Sequence, residues 1–276
     1  MSQGLIKFSD GAHWYECGKG EYKPKHDADL RVARKEFLYP SVTSILKDEF
    51  VNIWLQRWKM NELAMAANDN PKQAHEDDEA YCQRIYDISL EKALIAAEFG
   101  KKVHDAIEHY PQMPLFPEVL PFFDKFAPWF DTHVREVAGR EKILVDHDLG
   151  VAGRTDMIAM IDGVITVEDT KTQGIKPDSK GRYKPKFYDD WVRQLAFYSV
   201  AYAKESGTFP SIPPCVSVVI NSITPMEPFV KVWSKEEVLF GYKEFVCAAW
   251  HWFASRGYWP QPKGPFDVTS TIPMPI

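Results

Sequence analysis

Cysteine is scarce: Cys17, Cys82, Cys215 and Cys247 are the four present, and no two lie close together in sequence. Zinc sites and iron–sulfur clusters draw on closely spaced thiolates, so neither is expected, and buried free thiols are. A basic excess is missing too. The 276 residues carry 33 Lys and Arg against 39 Asp and Glu, a net charge of −6, which argues against a protein that coats nucleic acid with its whole surface. No apolar stretch approaches the roughly 20 residues of a membrane span, and no charged-then-apolar leader opens the chain, so a cytosolic protein without membrane contact is expected. Repeats, low-complexity segments and a phosphate-cradling Gly-x-x-x-x-Gly-Lys-Ser/Thr loop are also absent.

What is present, 45% apolar and 26% charged residues, suffices for one α/β domain over residues 1–276. The first 40 residues show little periodicity. Ser41 is a candidate N-cap for a helix whose apolar face is Val42, Ile45, Leu46, Trp54, Leu55 and Trp58, the two tryptophans serving as packing. Residues 68–80, with the acidic run Glu76, Asp77, Asp78 and Glu79, are expected as a solvated loop. A long helix over 79–110 meets Pro111, Pro114 and Pro117, and a second helix over 118–137 follows. From residue 141 the pattern turns to β, with strands expected over 142–147, 154–161, 164–171, 216–221 and 229–233. Helices are expected over 188–205 and 235–256, and a Pro-rich tail over 261–276. The order implies a mixed central β-sheet flanked by helices, with the core in 138–260 and a mostly helical part, 1–137, arching over its site.

Asp162-Gly163 between two β-rich runs is a strong hairpin signal. A two-residue type I′ turn pairs Ile161 with Val164 and, counting outward, Met160 with Ile165, Ile158 with Val167, Asp156 with Asp169 and Arg154 with Lys171. These pairs share one face, and Glu168 and Thr170 point to the other. Two carboxylates opposed across a ribbon repel, which a bound divalent cation offsets; a shared proton or the flanking cations Arg154 and Lys171 are the alternatives. A metal ion, two acids and a lysine suffice to hydrolyse a phosphodiester.

Gly153-Arg154-Thr155-Asp156, the hairpin, and Glu168-Asp169-Thr170-Lys171-Thr172 together resemble the signature of the PD-(D/E)xK nuclease superfamily. The RecB-type branch, with its phage and mitochondrial-maintenance exonucleases, is the most similar. Gly100-x-x-x-His104 and Gln194-x-x-x-Tyr198 match that branch's flanking helical motifs. The resemblance implies a restriction-endonuclease-like core and a Mg²⁺- or Mn²⁺-dependent nuclease for DNA, with single-stranded ends preferred, and a helicase or recombinase as possible partner. It also implies that His104, Asp156, Asp169 and the Thr170 carbonyl are metal ligands, and that Gln194 and Tyr198 position Lys171 or a substrate phosphate. A cytoplasmic setting in a bacterial or phage-infected cell goes with it. Relatives in that branch bind an iron–sulfur cluster through a C-terminal cysteine group, for which this chain has only Cys215 and Cys247.

The basic segment Lys176, Lys180, Arg182, Lys184 and Lys186, if not merely solvated, is expected as a flexible flap on the substrate backbone, with Tyr183 or Phe187 for base stacking, and Arg154, Lys184 and Lys186 are the cations expected to touch the substrate. Asp146, His147 and Asp148 are set aside because strand alternation turns His147 away from both acids. Two rival functions are a nucleic-acid-binding accessory protein that has lost the chemistry and a site-specific endonuclease.

Overall fold

The computed structural model describes residues 13–18, 21–51 and 53–260, so the expected Pro-rich tail over 261–276 lies outside the described residues. The aperiodic N-terminal region forms a small sheet that the sequence did not announce. Its strands β1 (Trp14–Gly18) and β2 (Glu21–Lys25) pair antiparallel, and β3 (Tyr39–Pro40) joins the other side of β1. Between β2 and β3 runs α1 (Leu30–Glu36), capped by the Asp29 carboxylate. These pieces are too short for a hydrophobic period to show. They are fixed by docking, Trp14 being buried between Trp252 and Tyr258.

Ser41 caps α2 (Val42–Glu49) as expected, its hydroxyl accepting from the Ser44 amide at 3.0 Å. The chain breaks at Phe50 before α3 (Ile53–Asp69), so the apolar residues from Val42 to Trp58 lie on two helices instead of one. Trp58 is 37% exposed rather than packed, and the Trp54 side chain lies outside the described residues. The next helix, α4 (Asp78–Glu108), shows the acidic run to be more than a solvated loop. Asp77 is its N-cap, Asp78 and Glu79 sit in its first turn where the helix dipole favours them, and Glu76 takes a two-bonded grip on Arg84.

After a 3₁₀ turn at Pro117–Val119 comes α5 (Leu120–His133). The expected extension of this helix to residue 137 does not occur, because Val134 already belongs to β4 (Val134–Asp146). Pairing with β5 (Val151–Ile161) claims the whole segment, and register shifts between Val134 and Glu136 and between Val137 and Gly139 blur the alternation that would mark it as a strand. The remaining elements fall close to expectation: β6 (Val164–Gln173), α6 (Asp189–Ser206), β7 (Cys215–Asn221), β8 (Phe229–Trp233) and α7 (Lys235–Arg256).

These strands make a five-stranded mixed sheet in the order β4-β5-β6-β7-β8, with β6 and β7 parallel and the other neighbours antiparallel. Helix α6 is the crossover that a parallel pair demands. Alternation sends Ile158, Val167, Cys215 and Trp233 into a core shared with α2, α6 and α7, and Met157, Ala159, Val216 and Val218 into a core shared with α4 and α5. The protein is thus a mixed α/β fold with helices on both faces and a helical N-terminal portion beside a small sheet. No described helix is long and apolar enough to cross a membrane. Of the four thiols only Cys215 is buried; Cys17 is half-buried, and Cys82 and Cys247 are exposed.

Candidate active site

The β5–β6 hairpin turns as expected. Asp162 (φ 48) and Gly163 (φ 84) both take the positive φ of a type I′ turn, and the ladder runs from Ile161↔Val164 to Met157↔Glu168. There it stops. Asp156 and Asp169 occupy the next positions outward, but the Asp156 carboxylate takes over as acceptor: the Thr170 amide donates to its Oδ2 at 2.8 Å. From Val167 onward β6 pairs with β7 on its other side, while β5 stays with β4. Arg154 therefore does not face Lys171. It pairs with Ile143 of β4, and its guanidinium lies 2.5 Å from Glu141.

Lys171 lies two residues beyond Asp169 on the same face, and its Nζ donates to Asp169 Oδ1 at 2.7 Å. The other oxygen, Asp169 Oδ2, is buried with no hydrogen-bond partner. The Gln194 carbonyl oxygen on α6 lies 3.5 Å from Lys171 Nζ, and the Gln194 amide donates to the Tyr198 hydroxyl at 3.1 Å. One glycine makes room for this chain of contacts. A Cβ on Gly153 would stand 2.7 Å from the Tyr198 ring and 3.0 Å from Val42, so only glycine lets the ring cross β5.

A second glycine brings in α4. A Cβ on Gly100 would meet the Thr172 hydroxyl at 2.8 Å, so its absence lets the helix backbone close on the end of β6. One turn further on, His104 Nδ1 comes within 3.7 Å of Asp156 Oδ2. The spacing Gly-x-x-x-His thus has a physical reason, the glycine for approach and the histidine for reach. Glu168 points to the α4 and α5 side and is fully buried, accepting from the Thr170 hydroxyl at 2.8 Å.

Burial dominates the electrostatics. It raises Asp156 above the ordinary carboxylate range, against the pull of Lys171 and the Thr170 amide. Burial, opposed by Lys171 and helped by the charge on Asp156, lifts Asp169 to about 6. Glu168 is held well above its usual value by burial and then by Asp156. Burial acts to lower Lys171, but the charges of Asp169 and Asp156 outweigh it and its pKa is raised, so the ammonium persists. Burial and the nearby Lys171 hold His104 below its ordinary value, leaving a neutral imidazole at neutral pH. Two buried carboxylates with raised pKa values, beside one ammonium and a neutral imidazole, would gain from further positive charge.

Asp156, Asp169, Lys171, Gln194, Tyr198, Thr170 and His104 are thus neighbours. They do not form a ready ligand cage: among the described residues no group of three or more His, Cys, Asp or Glu could hold a metal ion. Two carboxylates are the donor set at hand, and a hard cation such as Mg²⁺ asks the protein for one or two. The basic segment is not a free flap, because Asp178 gathers it: its carboxylate accepts from the Lys180 and Arg182 amides and from the Arg182 guanidinium, with Lys184 at 3.6 Å. Gln173 clamps the Lys186 backbone, its amide nitrogen donating to the Lys186 carbonyl and its oxygen accepting from the Lys186 amide, so this loop is tied to β6 two residues beyond Lys171.

Two acids near the site escaped the sequence reasoning. Alternation puts Glu168 on the far face but does not reveal that it is a fully buried acid. Glu141 requires the β4–β5 register, which no recognisable turn dipeptide announces. His147, set aside earlier, packs against Tyr22 and Tyr39, away from the acids.

No family model matches this chain, and no curated protein does. Among solved structures the chain is similar to a putative exonuclease from Eubacterium rectale, at 10% identity over 75% of this chain and 86% of that one, with a TM-score of 0.39. It is also similar to a protein named SSO0001, at 13% identity over 71% of this chain and 86% of that one, with a TM-score of 0.26.

Proposed function

We propose that this chain is a divalent-metal-dependent deoxyribonuclease with the restriction-endonuclease-like core of the PD-(D/E)xK superfamily, RecB-type branch, acting as an exonuclease on single-stranded ends. Its setting on this reading is cytoplasmic DNA recombination, repair or phage DNA processing, beside a helicase or recombinase that supplies the ends. The observation that carries the reading is Asp169: a buried carboxylate with one oxygen on Lys171 and the other on nothing, next to a second acid. A buried unpaired oxygen of this kind is costly unless something positive comes to it.

Asp156 and Asp169 are the residues that would hold Mg²⁺ or Mn²⁺, with His104 and the Thr170 carbonyl as its further neighbours. When bound, such an ion polarises a phosphoryl oxygen and lowers the pKa of a coordinated water. Lys171 supplies the fixed positive charge for the phosphate as negative charge builds on it. Gln194 and Tyr198 hold that ammonium in place from α6. The Thr170 amide fixes the Asp156 carboxylate, and Gly100 and Gly153 let the flanking helices close in.

The test is incubation of end-labelled linear and circular single strands and linear duplex with Mg²⁺, with and without chelator. Wild-type protein is expected to shorten linear single strands from an end and to spare circles. Asp169→Asn should lower cleavage by at least about a hundredfold, the scale of losing one transition-state contact, while keeping affinity for the strand. Cleavage that survives both chelation and Asp169→Asn overturns the assignment. Equal digestion of circles and linear strands removes the exonuclease part.

A further inference from the structure

Arg154 and Asp156 leave the same side of β5, two residues and roughly 6.6 Å apart along the strand. The Arg154 side chain is 58% exposed, and its Nε lies 2.5 Å from Glu141 Oε2, on a side chain only 20% exposed. Glu141 falls between the pairs Arg140↔Met157 and Lys142↔Thr155, directly across β4–β5 from Asp156. By residue count Glu141, Asp156 and Asp169 occupy successive positions across β4, β5 and β6, although the β5–β6 ladder ends one pair short of the two aspartates. At φ 47, Glu141 also holds a left-handed conformation in mid-strand, which is strained for a non-glycine residue and calls for a compensating role.

Two cations, Lys171 and Arg154, act on Asp156. Lys171 is already engaged by Asp169. A phosphodiester approaching these acids would bring more negative charge to the place least suited to it, and Arg154 is the cation whose present partner lies outside the buried pair. Its planar fork suits a phosphate as well as it suits a carboxylate.

We propose that Glu141 is an internal stand-in for the substrate phosphate: it keeps Arg154 poised beside Asp156 in the resting protein and yields it to the phosphodiester of an incoming strand. The proposal rests on the nuclease reading and names a positioning residue for that same site. Glu141 acts through Arg154 and takes no part in bond cleavage.

The test is fluorescence anisotropy with a labelled oligothymidylate in chelator, over a series of salt concentrations. Glu141→Gln should bind about three- to fivefold more tightly than wild type, the range expected on releasing one partly exposed ion pair. The slope of log affinity against log salt should match that of the wild type, because the same phosphate contacts form in both complexes, whereas Arg154→Gln should flatten it by about 0.7, one phosphate contact on a single strand. Glu141→Gly serves as a second variant, because glycine adopts the left-handed conformation without strain, and it should behave alike. In an Arg154→Gln background both gains should vanish. Unchanged or weaker binding by Glu141→Gln and Glu141→Gly, or a gain that persists without Arg154, overturns the proposal while the wild type still binds. If wild type and every variant fail to bind the oligonucleotide, the nuclease reading itself has failed.

Discussion

Asp146 and Asp169 are both 1% exposed, yet their surroundings differ in kind. Both oxygens of Asp146 accept from Lys204 Nζ at 2.9 Å, Oδ1 also takes the Asp148 and Leu149 amides, and Oδ2 takes the Tyr242 hydroxyl. Asp169 has Lys171 on one oxygen and no partner on the other. A buried acid with every lone pair used is a clasp, here joining the end of β4 to α6 and α7. One with an oxygen in reserve is a candidate site. The largest effect expected from this contrast is on stability: Asp146→Ala should cost about 3 kcal/mol, since it strands a partly buried Lys204. Urea unfolding would measure it, and cleavage per folded molecule should be unchanged. A stable Asp146→Ala protein that no longer cleaves would reverse the two roles.

The next effect concerns protons and metal together. A carboxyl whose folded pKa is raised binds its proton more tightly folded than unfolded. The stability this gives is complete below the unfolded value near 4 and is lost as pH rises through the folded value, about 6 for Asp169. Asp156 and Glu168 shift in the same direction. Metal-free protein should therefore lose part of its stability between about pH 4 and pH 7, and Asp169→Asn should flatten that slope. Mg²⁺ at a hundred times its Kd should restore roughly 2.7 kcal/mol at about pH 7.5 and much less at about pH 5, where protons compete for the same oxygens. Thermal unfolding at the two pH values checks this. An Mg²⁺ effect equal at both, or retained by Asp169→Asn, would mean that the ion binds elsewhere.

The turn end of the β5–β6 ribbon was legible residue by residue, because Asp162-Gly163 fixes the register and the apolar pairs keep it. The open end was legible only in outline. Counting outward puts Asp156 and Asp169 together, but it cannot tell that β6 changes partner to β7, that Arg154 turns to Glu141, or that a side chain replaces the backbone as acceptor for Thr170. Those outcomes are decided by tertiary pairing. The N-terminal small sheet was missed for a related reason: strands of five residues and two residues leave no period to detect. Likewise the conspicuous lysines of the basic loop suggest a loose segment, whereas its order comes from Asp178 and Gln173.

The smallest effect sharpens the comparison most, because it removes the same atom in both regions. Tyr242 donates its hydroxyl to Asp146 Oδ2 at 3.3 Å, and Tyr198 accepts from Gln194, which in turn reaches Lys171. Loss of either hydroxyl should change free energy by about 1 kcal/mol, the worth of one hydrogen bond, but in different quantities. Tyr242→Phe should appear in the unfolding curve, with the single-turnover cleavage rate untouched. Tyr198→Phe should slow single-turnover cleavage about fivefold, because Lys171 is held less firmly, with a smaller change in unfolding. A Tyr198→Phe protein that cleaves at the wild-type rate would show that Gln194 positions Lys171 without help from the ring that Gly153 so closely accommodates.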